Sequence, residues 1–460
     1  MRQRKLFMLI AAGALLCLTI GCSLQIAGVP LEKYRPIEVP KLFDRVMDER
    51  RADDVLVAGV QVVDVTPYDR KAWIAGFGQM RKSRGVLDPV TARIVYLDDG
   101  REAVVIVAAD FVGMTASDVE RLRSLVTAKH PQRIQFASTH NHQGPDTIGY
   151  WGPGLLIPVE RGVDTDWFDK TLQAIALGVD EAIRRAEPVR LALGQAEMES
   201  EWSSNLWFPH NAGPIDRRLG VMRLERLDGR PLATIVNWGC HAETLLDINK
   251  KISADYPGRF YKYVEQRGGG TGVFLNGGLG GMISPRICRF DVRPQYKDLD
   301  QRIAWMDRLG DRLAELAVGA VKDKPRVTYA PIAVKSVGVE IPMRNGLLTT
   351  MARVKILPTT DRQIRDNHFF SEVNYLRIGG AHFATVPGEA LPSLSLRLKD
   401  ALPYAEVPFV VSLANDELGY IMMPEQWSDP VYSYERSMSC GPQTGQIIYD
   451  AFVGLLAQDR

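Results

Sequence analysis

Beyond residue 55 the chain alternates short apolar, β-branched runs with longer segments in which apolar residues return every three or four positions. Strands are expected at 55–65, 103–109, 134–137, 190–193, 220–224, 233–238, 273–275, 334–341, 375–378, 383–386 and 409–413. Helices are expected at 115–129, 164–186, 298–322, from Pro392 onward and at 445–456. In the second of these, Trp167, Leu172, Ala176 and Val179 form the apolar stripe. No Ser/Gly linker divides the elements and no internal repeat is present. The pattern predicts an α/β fold: one large domain, 51–460, of mixed β-sheets with flanking helices and active residues on loops at the strand ends.

The N-terminal segment follows another pattern. Arg2, Arg4 and Lys5 precede an apolar run from Leu6 to Ile20, short for a bilayer span. Closing on Thr19-Ile20-Gly21-Cys22-Ser23, it resembles a bacterial lipoprotein signal, with Cys22 as the lipidated first residue of the mature chain. Thr19 stands where an aliphatic residue is usual, and an ordinary cleaved signal or an uncleaved anchor are the alternatives. Ser23 in place of aspartate favours an outer membrane, if the host has one. Residues 23–50, with Pro30, Pro36 and Pro40, read as a tether. The expectation is an exported protein held in the cell envelope through an N-terminal lipid.

Composition narrows the partners. Hydrophobic residues make up 46% and charged residues 24%, as in a protein with a substantial core. The net charge of +1 offers nothing to nucleic acid. The Gly-rich stretches at 268–270 and 277–281 lack the Lys-Ser/Thr of a phosphate loop, which argues against a nucleotide. Of five cysteines, Cys240, Cys288 and Cys440 lie beyond the signal; an odd number permits at most one disulfide among them.

Polar residues with chemical potential gather after strands. Seven histidines occur in the chain, and His140 and His142 sit one residue apart after the 134–137 run. If the backbone stays extended, both imidazoles face one space, which suits a metal ligand beside an acid or base; two loop histidines are the plainer reading. His241 follows the 233–238 run, where a satisfied core histidine is the alternative. Glu389 follows 383–386, and could equally serve as an acid at a helix start. Asn415 to Tyr420 follows 409–413, and could equally be a polar turn. Ser284, after glycines 280 and 281, is a candidate nucleophile, though a turn serine before Pro285 reads the same way. There is no Gly-x-Ser-x-Gly elbow around it.

Taken in order, these segments, with Leu87-Asp88-Pro89 and Thr91-Ala92-Arg93, resemble the catalytic domain of the neutral/alkaline, non-lysosomal ceramidase family. The resemblance runs from about Ala58 to the C-terminus. It rests on Thr139-His140-Asn141-His142-Gln143-Gly144-Pro145, Asn237-Trp238 ahead of His241, Pro387-Gly388-Glu389, Asn415 with Tyr420, and Tyr434-Glu435 ahead of Gly441-Pro442. It implies a zinc ion held by His140, His241, Glu389 and Tyr420. It also implies that His142 faces the substrate carbonyl, Tyr434 donates to the oxyanion or leaving group, and Ser284 either attacks or positions the attacking hydroxyl. The implied activity is hydrolysis of linear amides, with an N-acyl lipid such as ceramide as substrate.

Three departures accompany it. Met282 stands where the family's serine segment carries aspartate. The family's Asn-Arg-Ser arginine has no clear counterpart, Ser203-Ser204-Asn205-Leu206-Trp207 being the nearest segment. The C-terminal β-sandwich of long ceramidases has no equivalent in this sequence. Two other readings stay open: a metallohydrolase of this scaffold acting on another amide or ester, and an inactive surface binding protein.

Overall fold

The computed structural model describes residues 55–127, 133–154, 160–208, 213–353, 364–402 and 404–457. The lipoprotein-type signal with Cys22, the tether and the expected end of the first helix at Lys129 lie outside the described residues. The strands are β1 Val57–Asp64, β2 Thr91–Asp98, β3 Ala103–Ala109, β4 Ile134–Ser138, β5 Glu187–Glu197, β6 Ser203–Asn205, β7 Arg218–Arg226, β8 Pro231–Trp238 and β9 Thr271–Asn276. They continue as β10 Ile283–Pro285, β11 Ile332–Pro342, β12 Ile364–Arg365, β13 His368–Ile378, β14 Ala381–Thr385, β15 Glu389–Ala390, β16 Val407–Val411 and β17 Tyr420–Ile421.

Eight strands form one mixed sheet in the order β4-β3-β2-β1-β5-β7-β8-β9, and β11-β13-β14-β16 form a second, with β12 on β13. The sheets pack face to face. Leu97, Ile106, Met222, Ile235 and Leu275 of the first meet Val334, Leu376, Phe383 and Phe409 of the second in one buried cluster. The Phe383 and Phe409 rings stack at 4.3 Å. The outer face of the large sheet is covered by the helix Thr165–Arg184 and by Asp255–Gln266 with Leu299–Ala320. The helices Pro392–Asp400 and Thr444–Ala457 cover the second sheet. The result is a helix–sheet–sheet–helix arrangement of mixed sheets, the α/β class expected from the pattern.

Asp164 caps its helix by accepting from the Trp167 amide at 3.1 Å, and Asp298 caps the next long one through the Asp300 amide at 2.7 Å. Among the described residues no helix is long and apolar enough to cross a membrane. Cys240, Cys288 and Cys440 are buried free thiols.

What positions the site is the set of parallel pairs: β3 with β4, β8 with β9, and β14 with β16. Parallel neighbours end on the same side, so the loops leaving them open into one region. His140 leaves β4, His241 leaves β8, Ser284 follows β9, Glu389 follows β14 and Tyr420 follows β16.

Candidate active site

Two asparagines tie these loops together. The Asn276 side-chain amide, at the end of β9, donates to the Thr139 and Cys240 carbonyls at 2.8 and 3.0 Å. Each of those residues immediately precedes a histidine. Asn415 takes the Phe136 amide of β4 on its side chain at 2.7 Å and returns its own amide to the Phe136 carbonyl at 2.9 Å. The first strand of the site is thereby locked to the loop after β16.

His140 and His142 do share one space, with ring centroids 4.7 Å apart. They do so by a different route from the extended strand expected. β4 ends at Ser138, and His140 sits in the left-handed region at φ 58°. A further link is the bridge between Asn141 and Ala242, with the His142 amide on the Ala242 carbonyl at 2.9 Å. Met282, Leu413 and Asn415 also carry positive φ, between 54° and 61°. Such strained positions gather where loops must place a side chain.

The His140 and His241 rings lie 5.0 Å apart. Each is fixed through Nδ1, His140 by the Val112 carbonyl at 2.6 Å and His241 by the Ile283 carbonyl at 2.9 Å. That leaves both Nε2 atoms turned to Glu389: His140 Nε2 to Oε1 at 3.5 Å, His241 Nε2 to Oε2 at 3.2 Å. Glu389 lies not in a helix start but on β15, paired in parallel with β17 so that Glu389 stands opposite Tyr420. Tyr420 Oη also approaches Met282 Sδ at 3.7 Å.

All of these groups are buried. Burial would raise Glu389, but His140 and His241 outweigh it and hold the carboxyl below its usual range. Burial lowers His140 to about 4, against the pull of Glu389. In His241 burial also works downward, yet Glu389 overcomes it and lifts the imidazole to about 9. His142, buried beside the other histidines and Arg81, falls well below its ordinary value. The pocket thus favours positive charge at the point where His241 meets Glu389, while disfavouring it on His140 and His142.

The donor set fits a metal ion. His142 Nδ1 and Nε2, His241 Nε2 and Glu389 Oε2 are buried without an aligned hydrogen-bond partner, an expensive state unless something else satisfies them. A nitrogen from each of His140, His142 and His241 falls within 4.8 Å of the others. Backbone carbonyls on Nδ1 of His140 and His241 fix the tautomer that leaves Nε2 free to ligate.

The remaining sequence candidates fall into place around this centre. Tyr434, about half exposed, stands edge-on to Tyr420 with ring centroids 5.8 Å apart. Its neighbour Glu435 is fully buried, accepts from Trp207 Nε1 at 2.5 Å and is pushed up to about 7 by burial. Ser284 is fully buried on β10, opposite Ser204 of β6, and is not part of the cavity wall; Met282 is. The 203–207 segment therefore lies directly beside the serine. Asp88 and Arg93 stay away from the centre. Asp88 accepts from Ser253 Oγ and the Ala254 amide at 2.8 Å, and Arg93 donates to the Gly272 carbonyl and stacks on Tyr261 at 3.6 Å. They brace the helix Asp255–Gln266 against the large sheet.

Sequence reasoning passed over several residues. Glu243 lines the cavity, with Oε2 3.5 Å from His142 Nδ1. Its signal was the spacing His241-x-Glu243, which matches His140-x-His142 on the neighbouring loop. Arg81, buried with no carboxylate contact, donates to the carbonyls of Ala75, His142 and Leu246. Gly76 lies against the His142 ring. The cavity itself is about 480 Å³. Phe77, Trp151, Leu348 and Phe369 supply apolar wall, and Asp416 and Glu417 supply acid.

No protein-family profile matches the chain. Among curated proteins it is similar to neutral ceramidase A of Dictyostelium discoideum, 26% identical over 161 residues, a stretch covering 31% of this chain and 22% of that protein. It is also similar to neutral ceramidase B of the same organism, 22% identical over 236 residues, covering 47% of this chain and 32% of that protein. The matched stretches thus span less than a third of those relatives. Among solved structures, neutral ceramidase from Pseudomonas aeruginosa superposes with a TM-score of 0.71 at 18% identity, over 88% of this chain and 74% of that one. A ceramidase complexed with C2 gives 0.71 at 17% identity, over 88% and 76%. The chain thus shares the fold of these solved neutral ceramidases, and stretches of its sequence are similar to the two curated ones.

Proposed function

We propose that this protein is a zinc-dependent hydrolase of linear amide bonds, with an N-acyl lipid as its favoured substrate. The observation that carries the reading is the convergence of His140, His241, Glu389 and Tyr420 from four separate loops, with each Glu389 oxygen turned to one imidazole Nε2 and no aligned hydrogen bond between His241 Nε2 and Glu389 Oε2. Those four residues would hold the ion. Bound there, zinc supplies Lewis-acid polarisation of an amide carbonyl. Two nitrogens, a carboxylate and a phenol are a donor set suited to zinc.

The protein's own groups do the rest. Glu389 holds the two imidazoles in register, and its charge offsets the cation. His142 faces the same space with no aligned hydrogen bond on Nε2, so a proton there can meet the oxyanion that develops at the carbonyl. Tyr434 Oη, at the partly open edge of the cavity, is placed to donate to the departing amine. Ser284 Oγ is fully buried and lies outside the cavity wall, a position that does not favour direct attack. The wall formed by Phe77, Ile148, Trp151, Leu348 and Phe369 accepts an acyl chain.

One observation favours a second reading, an amide whose other half is strongly polar. Glu243, Asp416 and Glu417 place acid on the same cavity wall. We also propose that Cys22 carries the lipid anchor, on the strength of the N-terminal sequence. Labelled palmitate should enter the wild type and not Cys22→Ala.

The test of function combines metal analysis with a substrate panel. About one zinc per chain is expected, lost in His241→Ala, together with hydrolysis of N-acyl lipids in preference to short N-acyl amides. A well-folded protein without zinc would overturn the metal reading. Zinc with activity confined to short or polar amides would overturn the lipid one.

A further inference from the structure

We propose that Glu243 is a positioning residue of this site, its carboxylate orienting the His142 ring and holding the Ser284 hydroxyl. The proposal rests on the hydrolase reading given above, but its structural basis is separate from the metal set.

The backbone makes the pairing. Asn141 and Ala242 form a parallel bridge, and the His142 amide bonds to the Ala242 carbonyl at 2.9 Å. In such a pairing the next residues on each strand stand side by side, so His142 falls beside Glu243. The side chains follow, with Nδ1 and Oε2 3.5 Å apart.

His142 needs such a partner. His140 and His241 each have Nδ1 fixed by a backbone carbonyl. Neither nitrogen of His142 has an aligned partner. Its ring is walled by Gly76 and by Phe77, which stands edge-on at 5.3 Å, but those contacts set the plane of the ring and not its tautomer. Glu243 is the carboxylate beside it. A carboxylate on one imidazole nitrogen keeps the proton there and leaves the other nitrogen in a defined state.

Ser284 has the same need. Its Oγ is fully buried and makes no aligned hydrogen bond, and the carboxylate it meets is Glu243. Met282, two residues earlier, offers only a thioether, and that sulfur is turned to Tyr420. One buried carboxylate therefore stands between the group that faces the substrate carbonyl and the hydroxyl behind the cavity wall. Glu243 is 2% exposed, so bulk water does not compete for it.

The experiment compares zinc-loaded wild type with Glu243→Gln, Glu243→Asp and Glu243→Ala. Glu243→Gln should keep one zinc per chain and lower kcat by about tenfold to 100-fold, with KM unchanged within about twofold. Glu243→Asp, which keeps the carboxylate, should recover part of that loss; Glu243→Ala should not. Nitrogen-15 NMR of the histidine rings gives a reading that needs no turnover: the His142 signals should move in Glu243→Gln while those of His140 and His241 stay. Wild-type kcat in Glu243→Gln overturns the proposal, and so does loss of zinc, which would make Glu243 a ligand. If the wild type hydrolyses no amide, the hydrolase reading fails by itself, and unmoved His142 signals would then overturn the positioning role.

Discussion

Gly76→Ala tests the role proposed for His142 apart from that proposed for the metal ligands His140, His241, Glu389 and Tyr420. Gly76 has φ +100°, and a Cβ built on it lies 2.3 Å from His142 Cγ, 2.4 Å from Cβ and 2.6 Å from Nδ1. Carbon atoms in ordinary contact sit near 3.5 Å or beyond, so ring and new methyl must part by about 1 Å. The backbone at 76 has little room to retreat. The Ala75 amide is held by the Gly144 carbonyl at 3.0 Å, Ile74 bridges Pro145, and Arg81 clamps the carbonyls of both Ala75 and His142. The imidazole is the part that yields. A displacement of about 1 Å at a group that meets the reacting carbonyl lowers turnover by about 100-fold. The positive φ adds about 1–2 kcal/mol of strain, a drop in Tm of about 2 °C for a domain of this size. The three nearest atoms all belong to His142, none to His140, His241, Glu389 or Tyr420. Steady-state hydrolysis of an N-acyl amide, zinc content by elemental analysis and a thermal melt together read the outcome. Undiminished kcat would refute the placement of His142 at the reacting carbonyl. Loss of zinc along with activity would show that His142 belongs to the metal set with His140 and His241.

Three further predictions concern stability. Lys399 and Asp216 form a buried ion pair at 2.8 Å, so Asp216→Ala leaves a buried cation and should lower unfolding free energy by about 3–5 kcal/mol in denaturant titrations, and Lys399→Met added to it should restore much of the loss. Burial raises Asp255 to about 6 from 3.8; the folded state thus holds the proton more tightly, and that contribution, complete below about pH 4, is lost as pH rises through 6. Asp255→Asn should flatten the stability profile between those values in denaturant titrations at pH 4 and pH 7; its single oxygen keeps only one of the Leu245 and Tyr256 amides, which reach different carboxylate oxygens, so the gain at pH 7 stays below about 3 kcal/mol. Arg81→Met strands the carbonyls of Ala75, His142 and Leu246 and should cost about 3 kcal/mol, measured by chemical denaturation.

The sheet strands were legible where β-branched residues run together. Ala103–Ala109, Ile134–Ser138 and Pro231–Trp238 stand within a few residues of their expected limits. β2 was harder to see because Thr91 and Arg93 interrupt its apolar run; in the fold Thr91 bonds to Asp110 and Arg93 lies on Tyr261. The helix Asp255–Gln266 was not expected from the pattern, because Pro257 and Gly258, both poor helix residues, stand in its first turn. Pro257 falls in the first helical turn, where its missing N–H costs nothing, and Tyr256, Phe260 and Val264 then recur every four residues on the buried face. The site was legible for a related reason: each candidate residue closely follows a strand, and strand ends are readable. Which ends meet depends on strand order and on pairings between distant residues, such as Glu389 with Tyr420. Local pattern contains neither. Glu243 was missed because its partner lies across a bridge rather than along the chain.

The two sheets contribute unequal halves of the centre, and this explains the burial of its charges. His140 and His241 come from β4 and β8 of the large sheet, each pinned by a backbone carbonyl of its own half. Glu389 and Tyr420 come from the loops leaving β14 and β16 of the second sheet. The carboxylate therefore spans the seam between the sheets, touching one imidazole with each oxygen. Apolar packing of Phe383 and Phe409 against the large sheet fixes the distance across that seam, and the asparagine bonds from 276 and 415 fix its offset. Neither half is a metal site by itself: one offers two imidazoles without a counter-charge, the other a carboxylate and a phenol. A cation held between them would draw on the donor atoms of both, so the proposed chemistry depends on the same sheet-to-sheet packing that forms the core.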